Sequence, residues 1–355
     1  MRLIQTGMRV SALASALLVT GSGCDGEHSG VAPPVVVYVS ADESIARPVL
    51  AEFTNRTGIE VLPVFDTEAT KTTGLASRLR SERERPRADL FWSSECFRTI
   101  ELDEEGLLAP LSGEVFDDWM SDRPGRWKAD DGGWFGFAPR ARVIVHRQPP
   151  GFDDPLPASW EALADPRWAN RIAMADPRFG TTSGHFGALH AHWEALGTPE
   201  RFDRWVQGLV ENRPDVLTSG NAGVVDAVAS GASDIGMTDT DDVWAARARG
   251  LDVELIYPPT DLDRQVGRGT LLVPNTVARI KGGPNPEGAH LLARWLLSEE
   301  VERILAASSS RNIPLRTDAG SLAVPDPLDV DLARSSALME ASIRLFRTRL
   351  KEQAE

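Results

Sequence analysis

With 355 residues, 42% of them hydrophobic and 25% charged, the chain has a globular composition and the length of two domains or one large one. Its formal net charge of −14 excludes the basic stripe by which proteins hold nucleic acid. The same charge argues against adhesion to an anionic membrane surface and suits a cationic ligand.

The N-terminus reads as a targeting segment. Arg2 and Arg9 accompany an apolar run at residues 10–20, about eleven residues long and too short to span a bilayer. Gly21-Ser22-Gly23-Cys24 follows. This resembles a bacterial lipoprotein signal, in which Cys24 becomes the lipidated first residue, although Gly21 stands where Leu, Val or Ile is usual. Residues 1–24 are thus expected to be signal, and 25–34, small and polar, a tether. The mature protein is expected in the periplasm, attached to the membrane through lipid alone. The only other cysteine, Cys96, reads as a packing residue; two cysteines allow no disulfide framework and no thiolate metal site.

Residues 35–39 are β-branched and predict a buried strand. Ile45, Val49 and Phe53 recur at helical spacing, with Gly58 placed for a left-handed C-cap. A strand at 59–65, a charged helix at 73–85 and a strand at 88–92 follow. Strand, helix, strand, helix, strand implies right-handed crossovers and a parallel sheet. That arrangement brings Ser40, Asp42 and residues 93–95 to one sheet edge. A second α/β unit begins with a strand at 143–145. It continues with a helix opened by Ser159, a strand at 172–175, and helices at 186–196, 199–209 and 221–230. A strand at 235–238 ends this unit. The chain then returns through a strand at 270–273, a helix capped by Asn285 with Pro286 at its first position, and a final amphipathic helix at 331–351.

The segment Thr238-Asp239-Thr240-Asp241-Asp242 places three carboxylates at a strand-to-helix corner. Close carboxylates repel unless a cation or donor separates them, and carboxyl ends of strands are where open α/β sheets bind ligands. The structural alternative is an acidic first helical turn. Arg140 and Arg142 flank the junction between the two units and read either as anion contacts or as bridging arginines. Trp92, Trp134, Trp193 and Trp244 read as packing, with an aromatic cage as the alternative.

Several strings carry a family resemblance. They are Tyr38-Val39-Ser40-Ala41-Asp42, Thr57-Gly58-Ile59-Glu60-Val61, Arg87-Ala88-Asp89-Leu90-Phe91-Trp92, Pro166-Arg167-Trp168, Thr182-Ser183-Gly184, Asn275-Thr276-Val277-Ala278 and Asn285-Pro286-Glu287. In that order they resemble the iron(III)-type solute-binding proteins of ABC importers over residues 35–350. The resemblance implies an α/β, two-lobed periplasmic binding protein of the type II, Venus-flytrap kind, each lobe a mostly parallel sheet flanked by helices. It implies lobe one at 35–139 with 265–315, lobe two at 140–264 with 316–355, and hinges near 138–142 and 263–269. It also implies a permease and its ATPase as partners, a monomer, and no enzymatic activity.

Carried over position by position, the ligand set is Asp42, Ser94, Glu95, Thr182, Ser183, Gly184, His185, Asn221, Asp239, Thr240, Asp241 and Asp242. The family's adjacent tyrosines fall on Asp241 and Asp242. Only Tyr38 and Tyr257 occur in the chain, so phenolate ligation of iron at that corner is excluded. Asp239, Asp241 and Asp242 are the candidate metal ligands, for an oxygen-ligated hard cation or an amine, with no resident cofactor beyond a bound metal ion. The helix start at 183–185 is a candidate site for an anionic part of the ligand. Two other functions remain open from the sequence: a sensory module for a membrane receptor, and a metal-dependent hydrolase using His185, His190 and His192. The hydrolase reading lacks a His-Glu-x-x-His motif.

Overall fold

Val35, Val36, Val37 and Val39 form the first strand, as their β-branching favours, and the strands beside it set the architecture. The computed structural model describes residues 32–66, 72–121, 127–260, 269–315 and 327–355. The signal, Cys24, most of the tether and most of the second expected hinge lie outside the described residues. In chain order β1 (Val35–Val39), α1 (Glu43–Thr57), β2 (Val61–Phe65), α2 (Thr73–Ser81), β3 (Leu90–Ser93), α3 (Phe97–Glu104), β4 (Leu108–Ala109) and α4 (Glu114–Ser121) come first. β5 (Trp134–Arg147), β6 (Ile172–Ala175), α5 (Gly180–Ala195), α6 (Glu200–Glu211), β7 (Asp215–Leu217), α7 (Gly220–Ser230), β8 (Ile235–Asp239), α8 (Thr240–Ala248) and β9 (Val253–Ile256) follow. β10 (Leu272–Ile280), α9 (Pro286–Leu296), α10 (Glu299–Ala307) and α11 (Leu332–Ala354) end the chain.

The strands run β2-β1-β3-β10-β5-β8-β6-β7, with β4 on β10 and β9 on β5. β1 is parallel to β2 and β3, and β6 is parallel to β7 and β8, as the alternating pattern implies. The two parallel groups are joined by β5. Its residues 134–141 pair antiparallel with β10, and residues 142–147 pair antiparallel with β8 and β9. Only residues 143–145 were expected as strand; the longer strand includes Gly136 and Pro139, both poor strand residues. The proline is accommodated at a register shift, where Ala138 and Pro139 lie between the pairs Phe137–Asn275 and Arg140–Val273. Ala138 there has φ +40°. Its carbonyl accepts from Asn275 Nδ2 at 2.7 Å and Asn312 Nδ2 at 3.2 Å.

Helices cover both faces of each group. α1, α9 and α10 pack on one face of the first group, with Val49, Phe53, Leu292 and Val301 fully or almost fully buried. α2 and α3 pack on the other face with Leu79 and Phe97. In the second group α7 and α8 bury Val224, Val225 and Val243, while α6 adds an aromatic layer in which Phe202 and Trp205 meet Phe186 and Trp193 of α5. α5 and α11 contribute to both cores: Ala188, Met339 and Ile343 to the first, Phe186, Leu189 and Phe346 to the second. Ser336 Oγ of α11 donates to the Phe97 carbonyl at 2.9 Å.

Helix boundaries follow caps. Gly58 adopts φ +71° and ends α1, and Asn285, Ser298 and Asp331 accept from the first turns of α9, α10 and α11. Ser159 accepts from Ala162 N at 3.1 Å, but what it opens is a short 3-10 turn, Glu161–Ala164, cut short by Asp165-Pro166. α5 starts at Gly180, six residues before the expected 186, and α2 stops at Ser81.

α5 and α11 approach closely at Gly187. A β-carbon there would lie 2.2 Å from the Ser335 carbonyl oxygen, a backbone atom that cannot swing aside. Gly187→Ala is therefore expected to destabilise the fold by about 1–3 kcal/mol, read as a lower midpoint in urea unfolding; an unchanged midpoint would contradict this packing.

Candidate functional site

A cleft opens where the carboxyl ends of β3, β6, β7 and β8 meet. It is lined by Ser94, Arg140, Asp176, Thr181, Thr182, Thr218, Asn221, Asp239, Asp241 and Asp242, among others. The enclosed space is about 40 Å³, room for an ion or a few water-sized groups. α5, α7 and α8 all begin at this cavity, and none has a side-chain cap. Their first-turn N–H groups bear partial positive charge and suit oxygen-rich ligands.

The acidic corner is built by strand register. Arg142 of β5 lies directly opposite Asp239 of β8. The two side chains form an ion pair of 2.8 Å, with both side chains almost wholly buried. Two residues along, on the same face of β5, Arg140 reaches Asp241 at 2.9 Å. The corner is therefore not three bare carboxylates; two of them are matched by arginines from the strand that joins the lobes.

Asp239 is fully committed. One oxygen takes the Arg142 bond; the other accepts from Thr181 Oγ1 at 2.5 Å and Asn221 Nδ2 at 2.8 Å. Arg142 also donates to Thr181 Oγ1 at 3.2 Å and Asn221 Oδ1 at 3.4 Å. One buried carboxylate thus ties the starts of α5 and α7 to the sheet. The oxygens of Asp239, expected as a metal ligand, hold three donors in this structure. Oxygens of Asp239, Asp241 and Asp242 lie within 4.8 Å of one another, with Asp241 and Asp242 in the first turn of α8.

Burial works against the charge of Arg140, but Asp241, Asp239, Asp42 and Asp242 surround it and hold its proton more tightly than an ordinary arginine does. Asp42, exposed at the start of α1, thereby acts on the same centre from the other parallel group.

Other expected residues are elsewhere. Thr240 is buried, its hydroxyl accepting from Ala141 N at 3.1 Å, so it serves the backbone where β5 changes partner. Because α5 begins at Gly180, Thr181 and Thr182 face the cleft, whereas Ser183, Gly184 and His185 do not line it. Ser183 Oγ bonds the Gly180 carbonyl at 2.8 Å. Gly184 leaves room for the Phe97 ring, which a β-carbon would meet at 2.0 Å. His185 sits behind Arg142, taking its Nε at 3.4 Å on Nδ1. Burial, then the Arg142 charge, pushes this imidazole well below 6.5, so it stays neutral. Ser94 lines the cavity, with its N–H on Ser40 Oγ at 2.8 Å.

Glu95 does not reach the cleft. Its carboxylate accepts from Phe97 N at 2.6 Å and Arg98 N at 3.2 Å, which caps α3. Trp92 is fully buried, its indole N–H on Asn275 Oδ1 at 3.2 Å, so it belongs to packing and not to a cage. Sequence reasoning missed Thr181, Asp176 and Thr218, and did not pair Arg140 and Arg142 with the acidic corner. The same-parity spacing Arg140-x-Arg142 against Asp239-x-Asp241 was the available signal.

Two α/β groups joined through β5, with strand ends and helix starts facing one cleft, define a bilobal solute-binding protein. The chain belongs to the bacterial extracellular solute-binding protein family, whose profile matches residues 35–308. It is an extracytoplasmic solute-binding component of the kind that serves ABC importers. It is 27% identical over 281 residues to iron uptake protein A1 of Synechocystis, covering 77% of this chain and 73% of that one. To the major ferric iron-binding protein of Neisseria meningitidis serogroup A it is 26% identical over 352 residues, with 99% of each chain covered. The fold matches that of iron-bound HitA from Pseudomonas aeruginosa with a TM-score of 0.76, at 22% identity, over 89% of this chain and 99% of that one.

Burial pushes the Glu95 carboxyl up to about 7, although the Arg98 charge and two N–H bonds pull the other way. A raised folded value means stability that is complete below the ordinary 4.5 and lost as pH climbs through 7. Glu95→Gln is therefore expected to become more stable relative to wild type between pH 5 and 8, by roughly 3 kcal/mol at most. Urea unfolding at several pH values reads this, and a constant difference between the two proteins would contradict it.

Proposed function

We propose that the protein binds a hard metal cation as cargo, together with a small oxygen-bearing anion or water, and delivers it to a membrane permease driven by an ATPase. The observation that carries this reading is the convergence of Asp241 and Asp242 at the start of α8 beside a space of about 40 Å³. Ionised carboxylates suit hard, oxygen-preferring cations such as Fe(III), Mn(II), Ca(II) and Mg(II). Asp42, on the other lobe, completes the acidic surround as the cleft closes. The helix starts at Thr181 and Thr182 and at Asn221 favour the accompanying anion.

Iron is the cargo favoured among these. The relatives named for iron span most or all of the chain, and a trivalent ion gains most from clustered carboxylates. The ligand set differs from the ferric relatives, with aspartates 241 and 242 in place of tyrosines. Binding without turnover is supported by the relatives, which are named as iron-binding and iron uptake proteins. The metal is cargo and not a resident cofactor. The lobe boundaries given above, a monomeric state and a periplasmic location complete the proposal, with Cys24 as the lipid anchor.

Titration calorimetry of ferric citrate against wild type and an Asp241→Ala, Asp242→Ala double variant tests the cleft. The double variant is expected to weaken binding at least 100-fold, and unchanged affinity would overturn the assignment. Cys24→Ala is expected to move the protein from the membrane fraction to the soluble extracytoplasmic fraction; retention on the membrane would remove the anchor from the proposal.

A further inference from the structure

We propose that the exposed face of α11 bearing Arg344, Arg347 and Lys351 docks an acidic segment of the membrane permease. This rests on the importer reading above and adds the surface through which the protein meets its partner. The three residues recur at i, i+3 and i+7, which places them on one side of the helix, and all three are exposed. None of them forms an ion pair among the described residues. Other exposed arginines, such as Arg47, Arg303 and Arg334, hold Glu43, Glu299 and Glu194. The negative end of a helix accounts for a cation in the last turn, where Lys351 lies; Arg344 and Arg347 come earlier.

This face stands beside the cleft. α11 runs antiparallel to α5: Arg334 pairs with Glu194 near the end of α5, and Phe346 packs on Phe186 nearer its start. Arg347 follows, and its charge reaches Asp176. Burial raises the Asp176 carboxyl, but bonds from Arg178 and the charges of Arg178 and Arg347 hold it below its ordinary value. Asp176 lines the cleft. α11 also packs into both cores, so a partner held on this face lies near the cargo, on a helix shared by the two lobes. The chain has a formal net charge of −14. An acidic segment is therefore attracted here and repelled by the acidic remainder, which fixes one orientation of docking. An anionic bilayer is the poorer occupant, because it meets a whole side of the protein and not one helix face.

Proteoliposomes holding the cognate permease and ATPase test the face, with ATP hydrolysis followed against the concentration of protein loaded with ferric citrate. The Arg344→Glu, Arg347→Glu, Lys351→Glu variant is expected to raise the half-maximal concentration about tenfold or more. Its affinity for ferric citrate is expected to stay within about twofold of wild type, since none of the three lines the cleft. Arg344→Lys, Arg347→Lys keeps the charge and is expected to stay within about threefold of wild type in stimulation. Added salt is expected to weaken stimulation by wild type more than by the reversed variant. An unchanged half-maximal concentration in the reversed variant overturns the proposal. So does a loss in the lysine variant as large as in the reversed one, which marks a structural role. Binding of Cys24→Ala protein to permease-free phosphatidylglycerol vesicles, lost on charge reversal, assigns the face to lipid and also overturns it. The importer reading fails separately: wild type that stimulates no hydrolysis overturns that reading together with this one. Stimulation that charge reversal leaves intact removes only the docking face.

Discussion

The buried pair of Arg142 and Asp239 is the constraint on which the cleft depends. Neither side chain has meaningful contact with water, so each charge must be compensated in place. The pair sits across the β5–β8 register and recruits Thr181 and Asn221, the first polar residues of α5 and α7. Removing either partner would leave a buried charge uncompensated, a loss on the order of 3–5 kcal/mol in comparable cases. The starts of two helices and the junction of two strands would lose their common anchor with it. What resembles a ligand set in the sequence is therefore partly the scaffold that aims the ligand set.

β5 converts that anchor into geometry. Because side chains on a strand alternate faces, fixing Arg142 opposite Asp239 also fixes Arg140 toward Asp241. The first pair is dry; the second borders the cavity. One strand thus supplies both arginines that neutralise the corner. Thr240 completes the arrangement by accepting the Ala141 N–H at the point where β5 leaves β10 for β8, which keeps a backbone donor from being stranded in the interior.

Much of the fold was legible because its signals are local. The spacing of Ile45, Val49 and Phe53, the cap at Asn285 and the β-branched run at 35–39 each state an element directly. Order along the chain then implied the parallel groups and crossovers. β5 was legible only in part, since Gly136 and Pro139 are poor strand residues and a register shift is a tertiary accommodation. The early start of α5 was hidden for a similar reason. Gly180-Thr181-Thr182-Ser183-Gly184 has low helix propensity and is held helical by Asp239, which lies far along the chain. Of the expected site residues, Thr182, Asn221, Asp239, Asp241 and Asp242 line the cleft. Glu95 turns to its own helix and His185 to Arg142, and residue type and position do not reveal which way a carboxylate or imidazole turns.

Ala138 carries a consequence for how β5 passes between the two groups. An alanine at φ +40° costs about 1–2 kcal/mol, and this one is tolerated where two asparagine amides from separate segments grip its carbonyl. The two amides fix Ala138 within one parallel group, immediately before β5 passes to the other. The point of passage is thus stiffened on one side by side chains from β10 and from the segment after α10, so the angle at which β5 leaves its first partner is set by residues that lie outside the cleft.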